Sequence, residues 1–163
     1  MANKQPIELF MPPNMLKAKV GGGLGGVDMA AMKRAEDAMN ALNGEFAGWI
    51  ADDVKKLTDA RARYSQTQDD ASRHALLRAA HDIKGQAPTF NYPLIARVAG
   101  SLSRMIGELP PAAAIPVALV DAHVNAIQVI HKLAMQDTND KTAQALCAEL
   151  DARVDQVLKA AKK

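Results

Sequence analysis

The stretch Ala80-His81-Asp82-Ile83-Lys84-Gly85 lies at the centre of the most informative part of this chain. Apolar residues within it and around it recur at steps of three and four, a spacing that predicts an amphipathic helix. These apolar residues are Leu76, Ala79, Ala80, Ile83, Ala87 and Phe90. Helical geometry turns His81, Lys84 and Gly85 away from that apolar face, so we expect water or a partner to meet them.

The spacing of His81, Lys84 and Gly85 resembles the signature of histidine phosphotransfer (HPt) domains, in which Lys and Gly follow the histidine by three and four residues. A second small residue ordinarily precedes the next helix in that family, and Asn91 takes this position here. Asn tolerates left-handed backbone better than other non-glycine residues, so the departure is mild. Pro88 replaces a residue in a stretch that is often rich in Gly or Ser, and we expect the helix to bend or end there.

The composition of the chain predicts an all-α fold. It is 48 % hydrophobic but only 4 % aromatic, a balance that favours helices over strands. A length of 163 residues suffices for one domain with an adequate core. We expect an antiparallel four-helix bundle of the HPt type with an additional N-terminal arm. The resemblance covers residues 70–109 by motif and the rest of the chain only by its helical pattern.

Residues 1–27 are predicted to form the arm, and residues 28–163 the HPt-like bundle domain. Prolines and the glycine run Gly21–Gly26 predict a flexible joint with little apolar surface to bury. The run lacks the Gly-Lys-Ser/Thr ending of a phosphate-binding loop, which favours a linker. Phe10 and Met11 belong to an apolar patch that could dock on the bundle or on a partner.

Capping residues and prolines predict the helix boundaries. Asp28 is the expected N-cap of a long first helix, and the signature helix begins near Asp70. The third helix is expected from about residue 92, capped by Asn91 and stopped by Pro110-Pro111. Two further helices follow. The expected buried stripes are Met32, Ala35, Met39, Leu42, Phe46, Trp49, Ile50, Val54, Leu57 and Tyr64; Leu94, Val98, Leu102, Met105 and Leu109; Val117, Val120, Val124, Ile127, Ile130 and Ala134; and Leu146, Cys147, Leu150, Val154, Val157 and Ala161.

Charge and hydropathy exclude several classes of protein. The formal charge is only +2, and the 20 basic and 18 acidic residues are scattered, so no nucleic-acid partner is expected. No apolar run approaches the roughly 18 residues that span a bilayer, so we expect a soluble protein without a membrane partner. The lone Cys147 excludes an intramolecular disulfide and is expected to be a small buried hydrophobe. A cytoplasmic location follows as an expectation.

The chemistry that suits His81 is nucleophilic attack on phosphorus, since a neutral imidazole is unprotonated at one ring nitrogen. The product carries close to two negative charges, and Lys84 one turn along could place its ammonium over them. Gly85 removes a side chain that would screen the nucleophile. Asp82 points to a different face and is given no catalytic role.

The resemblance implies receiver domains of response regulators or of a hybrid histidine kinase as partners. It also implies that the receiver supplies the magnesium ion, so we expect no cofactor on this chain. No ATP-binding or kinase motif is present, which predicts a phosphotransfer intermediate without its own ATP-dependent kinase activity. The alternative is a helical interaction or assembly protein without phosphotransfer.

A metal site is the other chemistry that histidines can support. His74 lies on nearly the same face as His81, and His123 shares a face with His131. Spacings of seven and eight residues separate each pair by about 10.5–12 Å along a helix, too far for one metal ion. We therefore expect no metal site within either pair, and only an interhelical site stays open.

Overall fold

The computed structural model describes residues 28–163, and this part of the chain is helical without any β-strand. The helices are α1 (Met29–Thr67), α2 (Asp70–Gln86), α3 (Pro93–Glu108), α4 (Val117–Lys132) and α5 (Lys141–Ala161). They form a packed helical bundle, which confirms the predicted all-α class. The predicted arm and glycine linker at residues 1–27 lie outside the described residues. None of the helices described is both long and apolar enough to cross a lipid bilayer.

The described residues divide into two units, one ending at Met39 and one spanning Asn40–Lys163. In the first unit, Asp28 caps the start of α1 as predicted, because its carboxylate accepts a hydrogen bond from the Ala30 N–H at 3.0 Å. The second unit contains the remainder of α1 and the four following helices, and it holds all the site residues discussed below.

Only the C-terminal part of α1 supplies the predicted buried stripe. Its buried apolar residues are Ile50, Val54, Leu57 and Tyr64. The prediction is wrong for the N-terminal part, where Met32, Met39, Leu42 and Trp49 are exposed. Helix α1 has 39 residues, whereas the other helices have 16 to 21. Helical spacing of apolar residues shows that one face of a helix is apolar, and it does not show that another helix packs against that face.

Helix α2 begins and ends where the sequence predicts. The Asp69 carboxylate accepts a hydrogen bond from the Ser72 N–H at 2.7 Å and caps the first turn. This hydrogen bond also lowers the pKa of Asp69. The helix ends at Gln86, two residues before Pro88, whose ring would clash with the carbonyl of Lys84 in a continued helix.

The turn between α2 and α3 corrects one predicted cap. Asn91 has a φ of 61°, in the left-handed region that Asn tolerates. The N-cap of α3 is Tyr92, which makes no side-chain capping bond, and Pro93 occupies the first turn. Asn91 therefore reverses the chain direction and does not cap α3.

Helix α3 is central to the bundle, since it packs against α2, α4 and α5, and α4 also packs against α5. Its buried residues are Leu94, Ile95, Val98, Ala99, Ser101, Leu102, Met105 and Ile106. Ion pairs Arg97–Asp151 and Arg104–Asp155 join the exposed edges of α3 and α5. Exposed ion pairs contribute little, typically below about 1 kcal/mol, so apolar burial dominates this packing.

The predicted stripes of α4 and α5 are mostly buried, with exceptions near the helix ends. Ala134 lies beyond α4 with a φ of 48° and is exposed. On α5, Leu146 and Ala161 are exposed, whereas Leu158 is buried although it was not predicted. Leu158 lies four residues after Val154 and eight after Leu150, on the same face of the helix. Ala161 is the last residue of the helix, where little of the chain remains to cover it.

Arg73 on α2 holds the end of α3 through backbone carbonyl groups. Its Nη2 donates to the carbonyl oxygens of Ile106 and Leu109 at 2.9 and 2.7 Å. Its Nη1 donates to Pro110, Pro111 and Ala113 oxygens at 3.0–3.2 Å. The last carbonyls of a helix have no partner within the helix, so the guanidinium satisfies groups that would otherwise need water.

We expect Arg73→Gln to lower the free energy of unfolding by about 1–3 kcal/mol, because charge-assisted hydrogen bonds to several carbonyls are lost together. Arg78→Gln on the same helix is the matched control, and it should change stability by less than about 0.5 kcal/mol because Arg78 is exposed. Urea denaturation followed by circular dichroism measures both. Equal stabilities of Arg73→Gln and the parent would contradict the capping role.

Candidate functional site

Helix α2 presents the three predicted site residues on its outer side. His81, Lys84 and Gly85 are all exposed. Ala80 and Ile83, their neighbours along the chain, are fully buried. The burial of one face of the helix therefore determines that the imidazole of His81 is open to the surroundings.

Gly85 has open space where a side chain would begin. A Cβ atom placed on Gly85 would meet no atom of a neighbouring element within 4 Å. A helical glycine costs up to about 1 kcal/mol relative to alanine, and no close packing contact compensates for it here. Gly44, Gly48 and Gly107 are equally open. Open space around the Cβ position thus does not distinguish Gly85 from these glycines. Its position one turn from His81 does.

The side chain of Lys84 lies across α3 at Gly100. A Cβ atom placed on Gly100 would be 3.5 Å from Cδ, 3.7 Å from Cε and 3.8 Å from Cγ of Lys84. The aliphatic part of Lys84 thus lies over α3 at Gly100, an arrangement that lets a lysine keep its charged end in water. None of the ion pairs among residues 28–163 includes Lys84.

Gly100 was missed by sequence reasoning. The one signal in the sequence was a glycine inside an apolar helical pattern, because such a glycine often allows a neighbouring group to pack closely. Which side chain needs the space depends on the pairing of α2 with α3, and the spacing of residues along a single helix does not contain that information.

Asp82 faces a groove between α1 and α2. The groove has a volume of about 410 Å³ and is lined by Asp53, Lys56, Ala60, Ala71, His74, Ala75, Arg78, Ala79 and Asp82. Lys56 donates a hydrogen bond from Nζ to Oδ1 of Asp53 at 2.9 Å, and this bond raises the pKa of Lys56. His81 does not line the groove, so Asp82 and His81 belong to different surfaces of α2.

The other three histidines differ from His81 in their surroundings. His74 is exposed, and its Nδ1 lies 2.8 Å from the Asp70 carbonyl oxygen. His131 is half-buried, with its ring 6.0 Å from the ring of Tyr92. His123 is fully buried, and its Nδ1 lies 2.7 Å from the Leu119 carbonyl oxygen. Among the described residues, no three His, Cys, Asp or Glu side chains are grouped to hold a metal ion.

Cys147 is buried in the core, as the sequence predicts. Burial raises the pKa of its thiol, so the thiolate form that would act as a nucleophile or a metal ligand is disfavoured. Cys147 therefore packs as an apolar residue of α5.

Comparison of the chain with protein-family models, with curated proteins and with solved structures gives no match. The assignment of a function therefore depends on the residues and their geometry.

The buried His123 makes stability sensitive to pH. Burial lowers its pKa, although its hydrogen bond to Leu119 and the charge of Asp151 act in the opposite direction. Below the ordinary histidine pKa of about 6.5, the unfolded chain binds a proton that the folded chain excludes. Stability should consequently fall as the pH drops, by up to about 1.4 kcal/mol per pH unit from this group.

We expect the parent to lose stability between about pH 7.5 and pH 5.5, and His123→Asn to lose less over the same interval. Asn retains an N–H donor near the Leu119 oxygen but does not titrate, so the difference between the two pH profiles reports on His123. Urea denaturation at each pH provides the measurement. Parallel profiles for the two proteins would show that His123 is not the group responsible.

Proposed function

We propose that this chain is a histidine-containing phosphotransfer protein, in which His81 accepts a phosphoryl group from a receiver-domain aspartate and passes it to another receiver aspartate. The observation that carries the proposal is the exposed imidazole of His81 on α2, with Gly85 and Lys84 one turn away. A Cβ atom on Gly85 would have open space, and Lys84 is in none of the ion pairs of the described residues. The helical bundle supports it as well. We infer that α2 to α5 form the antiparallel four-helix bundle of the HPt type and that α1 is the additional helical segment, whose C-terminal part contributes Ile50, Val54 and Leu57 to the core.

The proposed reaction needs no general base on this chain. An unprotonated ring nitrogen of His81 attacks the phosphorus of the aspartyl phosphate, and a P–N bond forms. The P–O bond to the aspartate breaks, and the carboxylate leaves with the bonding electron pair. The proton on the other ring nitrogen stays in place, so charge and atoms balance without a further reactant. Transfer to the second receiver is the reverse of this step.

The ammonium group of Lys84 could stabilise the negative charge that this reaction adds to the helix. The phosphoryl group brings close to two negative charges, and an ammonium three residues along lies on the neighbouring turn. Arg97 and Arg104, the exposed arginines of α3, are already paired with Asp151 and Asp155 of α5. Arg78, one turn before His81, lines the groove between α1 and α2, which His81 does not line. Lys84, one turn after His81, is in none of the ion pairs among residues 28–163 and could receive the phosphoryl charge.

Receiver domains, from response regulators or a hybrid histidine kinase, are the partners that this chemistry requires. The resemblance to HPt domains implies that the receivers would supply the magnesium ion and the acidic residues that bind it. The chain would then act as an intermediate carrier and not as an ATP-dependent kinase.

A second candidate is a helical assembly protein without phosphotransfer. Within the Asn40–Lys163 unit, the side chains of Leu42 and Trp49 are 48 % and 52 % exposed. The Trp49 ring lies 5.5 Å from that of Phe46 and 6.1 Å from that of Phe90, which forms an aromatic cluster at the surface. Large exposed apolar groups often mark protein interfaces.

The two candidates differ in one measurement. A receiver domain is charged with radiolabelled acetyl phosphate, separated from the small donor and incubated with this chain. We expect acid-labile, alkali-stable label on the parent protein and none on His81→Gln, because the amide cannot form the phosphohistidine. His74→Gln is the matched control, since His74 is also exposed on α2, and it should be labelled like the parent.

Label on His81→Gln, or loss of label in His74→Gln with His81 intact, would contradict the assignment. Absence of label on the parent with a panel of charged receivers would favour the assembly protein. Circular dichroism and thermal melting of each variant confirm that folding is unchanged.

The open space at Gly85 generates a further prediction. Gly85→Gln should melt at or above the parent temperature, since replacing a helical glycine stabilises by a few tenths to about 1 kcal/mol. It should nevertheless lose most receiver-dependent labelling, because the longer side chain obstructs the approach to His81, with Gly85→Ala intermediate. Gly44→Gln is the matched control on α1, where a Cβ atom is equally free, and it should retain labelling.

Full labelling of Gly85→Gln would remove the steric role of this glycine. A cooperative loss of helix signal in the same variant would instead mean that Gly85 is needed for packing of the backbone.

A further inference from the structure

Helix stability does not explain the glycine at position 100, beside the Lys84 side chain. Gly100 lies within α3, where glycine is less favourable than alanine. A Cβ atom there would be 3.5 Å from the nearest Lys84 carbon, an ordinary van der Waals distance, so alanine would fit. The absence of a side chain therefore does not relieve a clash between backbones, and what it leaves open is the path of the Lys84 side chain across α3.

We propose that Gly100 is a positioning residue that holds the Lys84 ammonium where it meets the phosphoryl group on His81. This inference rests on the proposed function of His81. A lysine has four rotatable bonds, and a free side chain samples many rotamers that point away from the histidine. Cγ, Cδ and Cε of Lys84 lie 3.5–3.8 Å from the place that a Cβ atom on Gly100 would take, so the side chain runs over the surface of α3 at this residue. We expect this surface to restrict the rotamers of Lys84.

The size of the residue at position 100 decides whether this path stays open. Alanine would touch the aliphatic carbons of Lys84 without displacing them. Glutamine extends three further heavy-atom positions from Cβ and would occupy the space that Lys84 now uses. The Lys84 side chain would then leave α3, and the ammonium would lose its fixed position on the turn that follows His81.

The first test uses the unphosphorylated protein and does not depend on phosphotransfer. In protein labelled with carbon-13 lysine, the ε-methylene of Lys84 should be ordered in the parent and in Gly100→Ala, and mobile in Gly100→Gln. Gly107→Gln is the matched control on α3, where a Cβ atom has open space, and it should leave Lys84 unchanged. A mobile Lys84 in the parent, or an ordered one in Gly100→Gln, would overturn the inference.

The second test measures the lifetime of phosphohistidine after phosphorylation with phosphoramidate, a small donor that needs no partner protein. Lys84→Ala should shorten the lifetime by roughly tenfold, the size of one charge-assisted interaction. Gly100→Gln should shorten it roughly three- to tenfold, and Gly100→Ala should resemble the parent. If Gly100 acts through Lys84, adding Gly100→Gln to Lys84→Ala should cause no further change.

The outcomes separate this inference from the proposed function. Additive effects of the two substitutions, or a parental lifetime in Gly100→Gln, would contradict the positioning role while His81 remains the phosphorylated residue. Failure of the parent to form phosphohistidine would contradict the proposed function, and the mobility of Lys84 would still decide whether Gly100 orders that side chain. Thermal melting of Gly100→Gln checks that the helices remain packed.

Discussion

The burial of one face of α2 is the constraint on which the candidate site depends. Leu76, Ala80 and Ile83 are fully buried, and α3 packs against this helix. A rotation of α2 by one residue, about 100°, would bring His81 into the core and expose apolar side chains in its place. The Asp69 cap at one end and Pro88 beyond the other limit the helix to its observed span. The apolar packing that stabilises the helix thus also keeps the imidazole accessible.

The positive charge available near His81 depends on which cationic side chains already form ion pairs. The arginines at the edge of α3 are paired with aspartates of α5, whereas Lys84 has its carbon chain on Gly100 and belongs to none of the ion pairs within residues 28–163. An exposed, unpaired lysine adds little to folding and responds strongly to a new anion nearby. Under the proposed function, this division would let the bundle keep its stability when His81 is phosphorylated.

Sequence periodicity was sufficient for those features that depend on one helix at a time. The helix class, the end of α2 before Pro88 and the outward direction of His81 all follow from local spacing. The buried stripe predicted for the N-terminal half of α1 was wrong, because helical spacing of apolar residues does not show whether another helix packs against them. The prediction that Asn91 caps α3 was wrong. Asn is common both at helix N-caps and in left-handed backbone, and here it adopts the left-handed conformation.

The contacts between helices were beyond the reach of sequence reasoning. Arg73 donates to carbonyl groups more than thirty residues away in the chain. Lys84 on α2 lies beside Gly100 on the neighbouring helix α3. His123 was grouped with His131 by spacing, although one is fully buried and the other half-buried. Each of these depends on which helices become neighbours, and a pattern within one helix does not specify its neighbours.

Phosphorus NMR of the intact chain, after incubation with a phosphorylated receiver domain, tests the central claim most directly. With isotope-labelled histidine, the experiment identifies the ring nitrogen that is bonded to phosphorus. A single phosphoramidate signal coupled to the imidazole of His81, lost on acidification, is the predicted result. A signal coupled to His74, His123 or His131, or no phosphoramidate signal with any charged receiver, would contradict the assignment of His81 as the phosphorylated nucleophile.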